Sequence, residues 1–167
     1  IRAKAKGQQE ADLKKLHVVT TLFPYYDFTR QIAGDQVELM MVVPAGMDSH
    51  SFEPTPADIQ TIQEADVLVC ASRQETVSMV VIEAMMYGKP TVVSSGAGIA
   101  EYMRDGKDGL IFATENAEEL RKKLRYCLTH RDVLREIGRR ARGIYERCFS
   151  MRQFEAGLAE IMDEMRE

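Results

Sequence analysis

DVLVCASRQETVSMVVIEAMMYGKPTVVSS, residues 66–95, decides the fold. Its two ends, DVLVCAS and KPTVVSS, are short runs rich in β-branched residues and read as buried strands. Between them, TVSMVVIEAMMYG has apolar residues at helical spacing and stops at Gly88, so it reads as a helix. Met79, Val80, Ile82, Met85 and Met86 are expected to face the core. A strand, a helix and a second strand in that order imply parallel strands joined by a right-handed crossover.

The same rhythm extends towards the N-terminus. LHVVTTLF (16–23) reads as a strand, YYDFTRQIAG as a helix stopped by Gly34, and QVELMMVVP as a strand closed by Pro44. AGMDSHSFEPTP is rich in turn formers and reads as a loop. Thr55 is placed to cap the next helix, PADIQTIQEA, with Pro56 at its first position. Towards the C-terminus, GIAEYMRDG reads as a short helix and turn, and GLIFA as a short fifth strand. From Asn116 onward only helices are expected, the first capped by Asn116 and the last by Ser150. The prediction is an α/β three-layer Rossmann-like domain with about five parallel strands, in an order such as 2-1-3-4-5, and a C-terminal helical tail. It spans residues 16–167 as one domain, after a flexible polar leader, 1–15.

Composition narrows the function. The chain has 167 residues, 45% hydrophobic and 29% charged, which suits one domain with a full core. A net charge of -4 argues against a nucleic-acid partner. The one basic cluster, RRAR at 139–142, reads as a solvated helix face. No apolar run reaches the roughly 18 residues of a membrane helix. The three cysteines, Cys70, Cys127 and Cys148, are odd in number and lack paired spacing, so buried or incidental thiols are expected.

Glu75 and Glu83 flank an almost wholly apolar segment. Such a pair is ordinarily the two solvated ends of a helix. Its position gives a second reading. Ser72 and Glu75 follow directly from a strand, and ligands of open α/β sheets sit at the carboxyl ends of strands. The next helix would aim its free N–H groups there, which suits a diphosphate. With residues 76–83 helical, Glu83 lies about 12 Å further on. That is roughly the reach from a sugar, past a diphosphate, to a ribose. A carboxylate at each end would accept hydrogen bonds from vicinal hydroxyls.

These residues carry a resemblance. Ser72-x-x-Glu75, Glu83-Ala84-Met85, Gly88-Lys89-Pro90, Ala97-Gly98-x-x-Glu101 and Asp105-Gly106-x-x-Gly109 appear in the order seen in the donor-binding domain of retaining GT-B glycosyltransferases. The resemblance covers about residues 66–167, including the helical tail. It implies that Glu75 contacts the donor sugar as the catalytic-site carboxylate and that Glu83 holds the ribose. Ser72, Thr76, Val77, Ser78 and Met79 would surround the diphosphate, with Ala97, Gly98 and Glu101 closing the loop side. The ligand implied is a nucleoside diphosphate sugar of UDP or GDP type, and no further cofactor is required. Two departures stand out: Thr76-Val77-Ser78 replaces the family's Gly-Phe-Gly, and Ala97 replaces the first glycine of its loop. Both put side chains where backbone would approach a ligand. The basic pair that the family turns towards the diphosphate has no counterpart; Lys14, Lys15 and Arg30 read as surface.

Residues 16–69 resemble a different family. The strand and Thr-x-x-Pro-x-x-Asp, followed by Pro44-x-Gly46-x-Asp48-x-His50-x-Phe52-Glu53-Pro54, are similar to the zinc and manganese receptors of bacterial ABC transporters, the cluster A-I solute-binding proteins. The resemblance implies that His50 is one of about four metal ligands, with zinc as its ion; read by itself, His50 is an exposed loop histidine. His17 and His130 lack ligand spacing to His50. His17 reads as a strand residue, and His130 is placed to meet the partial negative charge at the end of its helix.

The two resemblances meet at EADVLV, where both families have a helix, Ala-Asp and an apolar strand. Three readings stay open. The chain is the donor-binding half of a glycosyltransferase, lacking its acceptor domain and full transfer activity alone. It is a recombined or designed chimera without activity. Or it is a fragment of a zinc or manganese receptor. Hexosyl transfer from a nucleotide sugar is implied by resemblance only. The glycosyltransferase half implies a cytoplasmic location and the receptor half an extracytoplasmic one.

Overall fold

The computed structural model describes residues 15–47 and 52–166. The expected leader therefore lies, but for residue 15, outside the described residues, and so do Asp48 and His50. Five parallel strands form one sheet: β1 (Leu16–Thr20), β2 (Val37–Met41), β3 (Val67–Cys70), β4 (Thr91–Ser94) and β5 (Leu110–Phe112). Their order is β2-β1-β3-β4-β5, as expected. Register pairs Val18 with Val67 and Val69 with Val92 across the centre. The central strands β3 and β4 are buried throughout, which is why their sequences are continuously apolar rather than alternating. β2, at one edge, alternates, and Met40 faces outward.

Helices cover both faces. They are α1 (Phe23–Ala33), α2 (Pro56–Glu64), α3 (Met79–Met86), α4 (Ala117–Thr129), α5 (Arg131–Cys148) and α6 (Met151–Glu164). One apolar layer joins Ile62 of α2 and Val81, Ala84 and Met85 of α3 to Ala141 and Ile144 of α5. The other joins Val18, Val67 and Val92 of the sheet to Leu120, Leu124 and Cys127 of α4 and Ile137 of α5. α5 thus contributes to both layers. It crosses α3 closely, because a Cβ at Gly138 would lie 2.0 Å from the Gly88 carbonyl oxygen.

Local chemistry explains the boundaries. Thr55 and Asp58 form a reciprocal capping box at the start of α2. Asn116 accepts from the Glu119 N–H to start α4, and Ser150 accepts from Gln153 to start α6. Gly34 ends α1 at a φ of 53°, where glycine lacks the Cβ penalty. The RRAR stretch is a solvated face, with Arg139 and Arg140 both hydrogen-bonded to Glu136 and Arg142 to Glu146. The Glu136 carboxyl is accordingly held down to about 2. All three cysteines are free thiols; Cys70 and Cys127 are buried and Cys148 is exposed.

Two expectations need correction. The helix after β3 starts at Met79 rather than Thr76, because Glu75 is drawn into a bridge with Ala97 in the loop after β4 and the chain turns helical only beyond Ser78. Met79 is 65% exposed and does not face the core. As the first residue of α3 it precedes the turn whose buried positions are Val81, Ile82, Ala84 and Met85.

Candidate functional site

The site lies where β3 and β4 deliver their chains to the carboxyl edge of the sheet. Glu75 and Ala97 form a parallel bridge there. The Glu75 N–H donates to the Gly96 carbonyl at 3.2 Å, and the Gly98 N–H donates to the Glu75 carbonyl at 2.7 Å. Only glycine fits at these contacts. A Cβ at Gly96 would lie 2.1 Å from the Arg73 oxygen, and one at Gly98 would lie 2.0 Å from the Thr76 oxygen. The loop with Ala97, Gly98 and Glu101 is therefore clamped against the segment that leads into α3.

The N-terminus of α3 has no side-chain cap. Ser78 sits at its cap position, but the hydroxyl makes no capping hydrogen bond. Instead the Cys70 thiol lies 3.9 Å from the Ser78 hydroxyl and 3.5 Å from the Glu75 carboxylate. Burial, and then the Glu75 charge, push the Cys70 thiol up to about 12. Tyr25, at the start of α1, hydrogen-bonds Ser72, and its phenol is pushed up mainly by burial. Tyr25 escaped the sequence reading, and Cys70 was read there only as a buried or incidental thiol. The signal for both was position, since each stands at or just past the carboxyl end of a strand.

The residues singled out from sequence differ in burial. Thr76, Val77, Met79 and Glu101 are exposed, and Glu75 and Gly98 are half-buried. Ser72 and Ser78 are buried at 5% and 3% exposure, and Ala97 at 1%. The Ala97 methyl packs in the apolar layer beside Val81, Ile99 and Met103. It therefore points into the core, contrary to the expectation that it would stand where backbone meets ligand.

Glu83 lies on the second turn of α3. It is partly buried, and its Oε2 is buried with no hydrogen-bond partner among the described residues. Burial raises its carboxyl above the ordinary value. The Asp105–Gly109 motif is structural. The Gly106 N–H donates to the Gly109 carbonyl at 2.8 Å, Asp105 accepts from the Ile111 N–H at 2.8 Å, and the Lys123 ammonium meets the same carboxylate at 2.6 Å.

On the opposite face, between α1 and α4, is a concavity of about 800 Å³. Tyr25, Phe28, Phe112 and Leu120 line it, and Arg73 and Glu115, paired with each other, rim it. It includes Ser72 but neither Glu75 nor Glu83.

Part of the receptor-like loop, including Asp48 and His50, lies outside the described residues. No group of three or more His, Cys, Asp or Glu able to hold a metal occurs among the described residues. His17 lies on β1, 3.5 Å from the Glu38 carboxylate. His130 ends α4, with Nδ1 3.1 Å from the Tyr126 carbonyl and its ring stacked on Tyr126. No helix among the described residues is long and apolar enough to cross a membrane.

Comparison with known proteins bears out both resemblances, one by sequence and one by fold. Residues 18–124 match the family model of the zinc-uptake complex component A, periplasmic, ZnuA. The high-affinity zinc uptake system protein ZnuA of Bacillus subtilis is 39% identical over 95 residues, covering 56% of this chain and 30% of that protein. The metal ABC transporter substrate-binding lipoprotein FimA of Streptococcus parasanguinis is 42% identical over 64 residues, 38% of this chain and 21% of that one. The chain thus spans about a third or less of these relatives. Its fold is that of glycosyltransferases. Anabaena HepE, solved with UDP-glucose, superposes with a TM-score of 0.74 at 18% identity, over 96% of this chain and 52% of that one. Sucrose-phosphate synthase of Thermosynechococcus elongatus gives 0.74 at 17%, over 98% and 48%.

Proposed function

The chain belongs to the family of the periplasmic component A of zinc-uptake complexes, and from that premise and its glycosyltransferase fold we propose that it binds a nucleoside diphosphate or a nucleotide sugar at the carboxyl edge of β3 and β4. The observation that carries this reading is the clamp between Glu75 and the Ala97–Gly98 turn, set in front of the uncapped N-terminus of α3. Free N–H groups of the first turn and the helix dipole favour a diphosphate there. Glu75 on one side and Glu83 on the other supply acceptors for sugar and ribose hydroxyls. The role proposed for these residues is binding. UDP-glucose in HepE supports the ligand class.

Family membership favours a second reading, zinc capture through His50. The periplasmic description of the family supports the extracytoplasmic of the two locations.

Thermal unfolding separates the readings. A rise in Tm with UDP-glucose, abolished by Glu83→Ala, supports the first. A rise with zinc alone, abolished by His50→Ala, supports the second. No response to UDP-glucose from a folded sample rejects the first.

A further inference from the structure

The C-terminal helix α6 carries an apolar stripe that no described residue covers. Met151, Phe154, Leu158, Ile161 and Met165 are 68%, 66%, 47%, 56% and 82% exposed. No residue of α6 is buried. Their spacing runs three, four, three, four, the seam of a two-stranded coiled coil rather than scattered surface residues. Met162, also exposed, widens the stripe.

We propose that α6 is a self-association helix, through which two copies of this chain pair in antiparallel orientation. Area supports a protein partner. Large side chains of roughly 200 Å² each, exposed by about half or more, add up to a patch on the order of 600–700 Å². That approaches the ~800 Å² per partner of a standard interface, so the α6 pair supplies most of what a specific dimer needs.

Charge selects the partner and the direction. Arg152 stands near the start of the helix, and Glu160, Asp163 and Glu164 crowd its end. About a two-fold axis at Leu158, Met151 faces Met165 of the partner subunit, and Arg152 lies at the level of the partner subunit's acidic end. A parallel pair would instead set like charges and like dipole ends side by side. Gly157 adds a separate indication. It sits in mid-helix, where glycine costs about 1 kcal/mol relative to alanine. A Cβ there would meet no atom within 4 Å, so nothing in the chain itself requires glycine. Close approach of a second helix beside Leu158 would.

A bilayer fits less well. Among the described residues α6 and its cap have two arginines, Arg152 and Arg166, against four acids, Glu155, Glu160, Asp163 and Glu164. Surface helices that bind anionic lipid are basic on their polar face.

Sedimentation equilibrium of the full chain, from about 1 to about 100 μM, tests the proposal. The expected result is a mass approaching twice 18.9 kDa, returning to 18.9 kDa in Leu158→Glu with the unfolding transition retained. Arg152→Glu should raise the dimer dissociation constant about two- to threefold at low salt, because it adds a negative charge at the level of the partner's acidic end in both halves of the dimer. Adding Glu164→Arg to it should restore association. A wild-type monomer throughout overturns the proposal, as does a dimer that survives Leu158→Glu. Co-sedimentation with phosphatidylglycerol vesicles in place of self-association would assign the stripe to lipid and also overturn it.

Discussion

Gly98 donates its N–H to the Glu75 carbonyl at 2.7 Å, and there is no room for a side chain at that contact. Together with the hydrogen bond from the Glu75 N–H to the Gly96 carbonyl, the contact holds the loop after β4 against the entry to α3, so both sides of the proposed diphosphate site depend on this clamp. Gly98→Ala must push the Thr76 backbone aside, since its Cβ would lie 2.0 Å from that oxygen. A loss of about 1–3 kcal/mol is expected from such overpacking, read as a lower midpoint in urea.

Glu83 is expected to weaken the fold at neutral pH. Its folded pKa is raised, so the native state holds the proton more tightly than the unfolded chain does. The resulting cost is present in full above the folded pKa. It is lost as pH falls through that value towards the ordinary ~4.3. Glu83→Gln should therefore raise Tm at pH 7 and leave it unchanged near pH 4, as followed by circular dichroism. An equal gain at both values would remove burial of the charge as the cause.

The thiols offer a test of the core. Burial pushes both Cys70 and Cys127 up to about 12, and Cys148 is exposed. A neutral protonated thiol is a poor nucleophile. An aromatic disulfide reagent at pH 8 should modify Cys148 alone in the folded chain, with the other two reacting only in denaturant. Fast reaction of Cys70 would mean that the pocket of Ser78 and Glu75 opens.

Much of this was legible in the sequence, for reasons that can be named. The sheet order followed from alternating strands and helices, and the buried runs VLVC and TVVS marked the central strands. Thr55, Asn116 and Ser150 were readable as caps because capping is local chemistry. Met79 was misread because periodicity assigns a face without knowing where the helix begins. The true start depends on Gly96 and Gly98, some twenty residues away, pulling Glu75 into a bridge. Ala97 was misread for the same reason. Its neighbours Val81 and Met103 come from different elements, so its burial is a tertiary fact. The contacts of Tyr25 with Ser72 and of Cys70 with Glu75 likewise join residues that only the fold brings together.

The most direct test of the central claim is a calorimetric titration of the purified chain with UDP, with GDP in the same session and Glu83→Ala alongside. The account predicts saturable binding of a nucleoside diphosphate, with a dissociation constant of roughly micromolar to low millimolar, weakened at least about tenfold in Glu83→Ala. Flat traces from a cooperatively folded sample, or binding unchanged by Glu83→Ala, would contradict it.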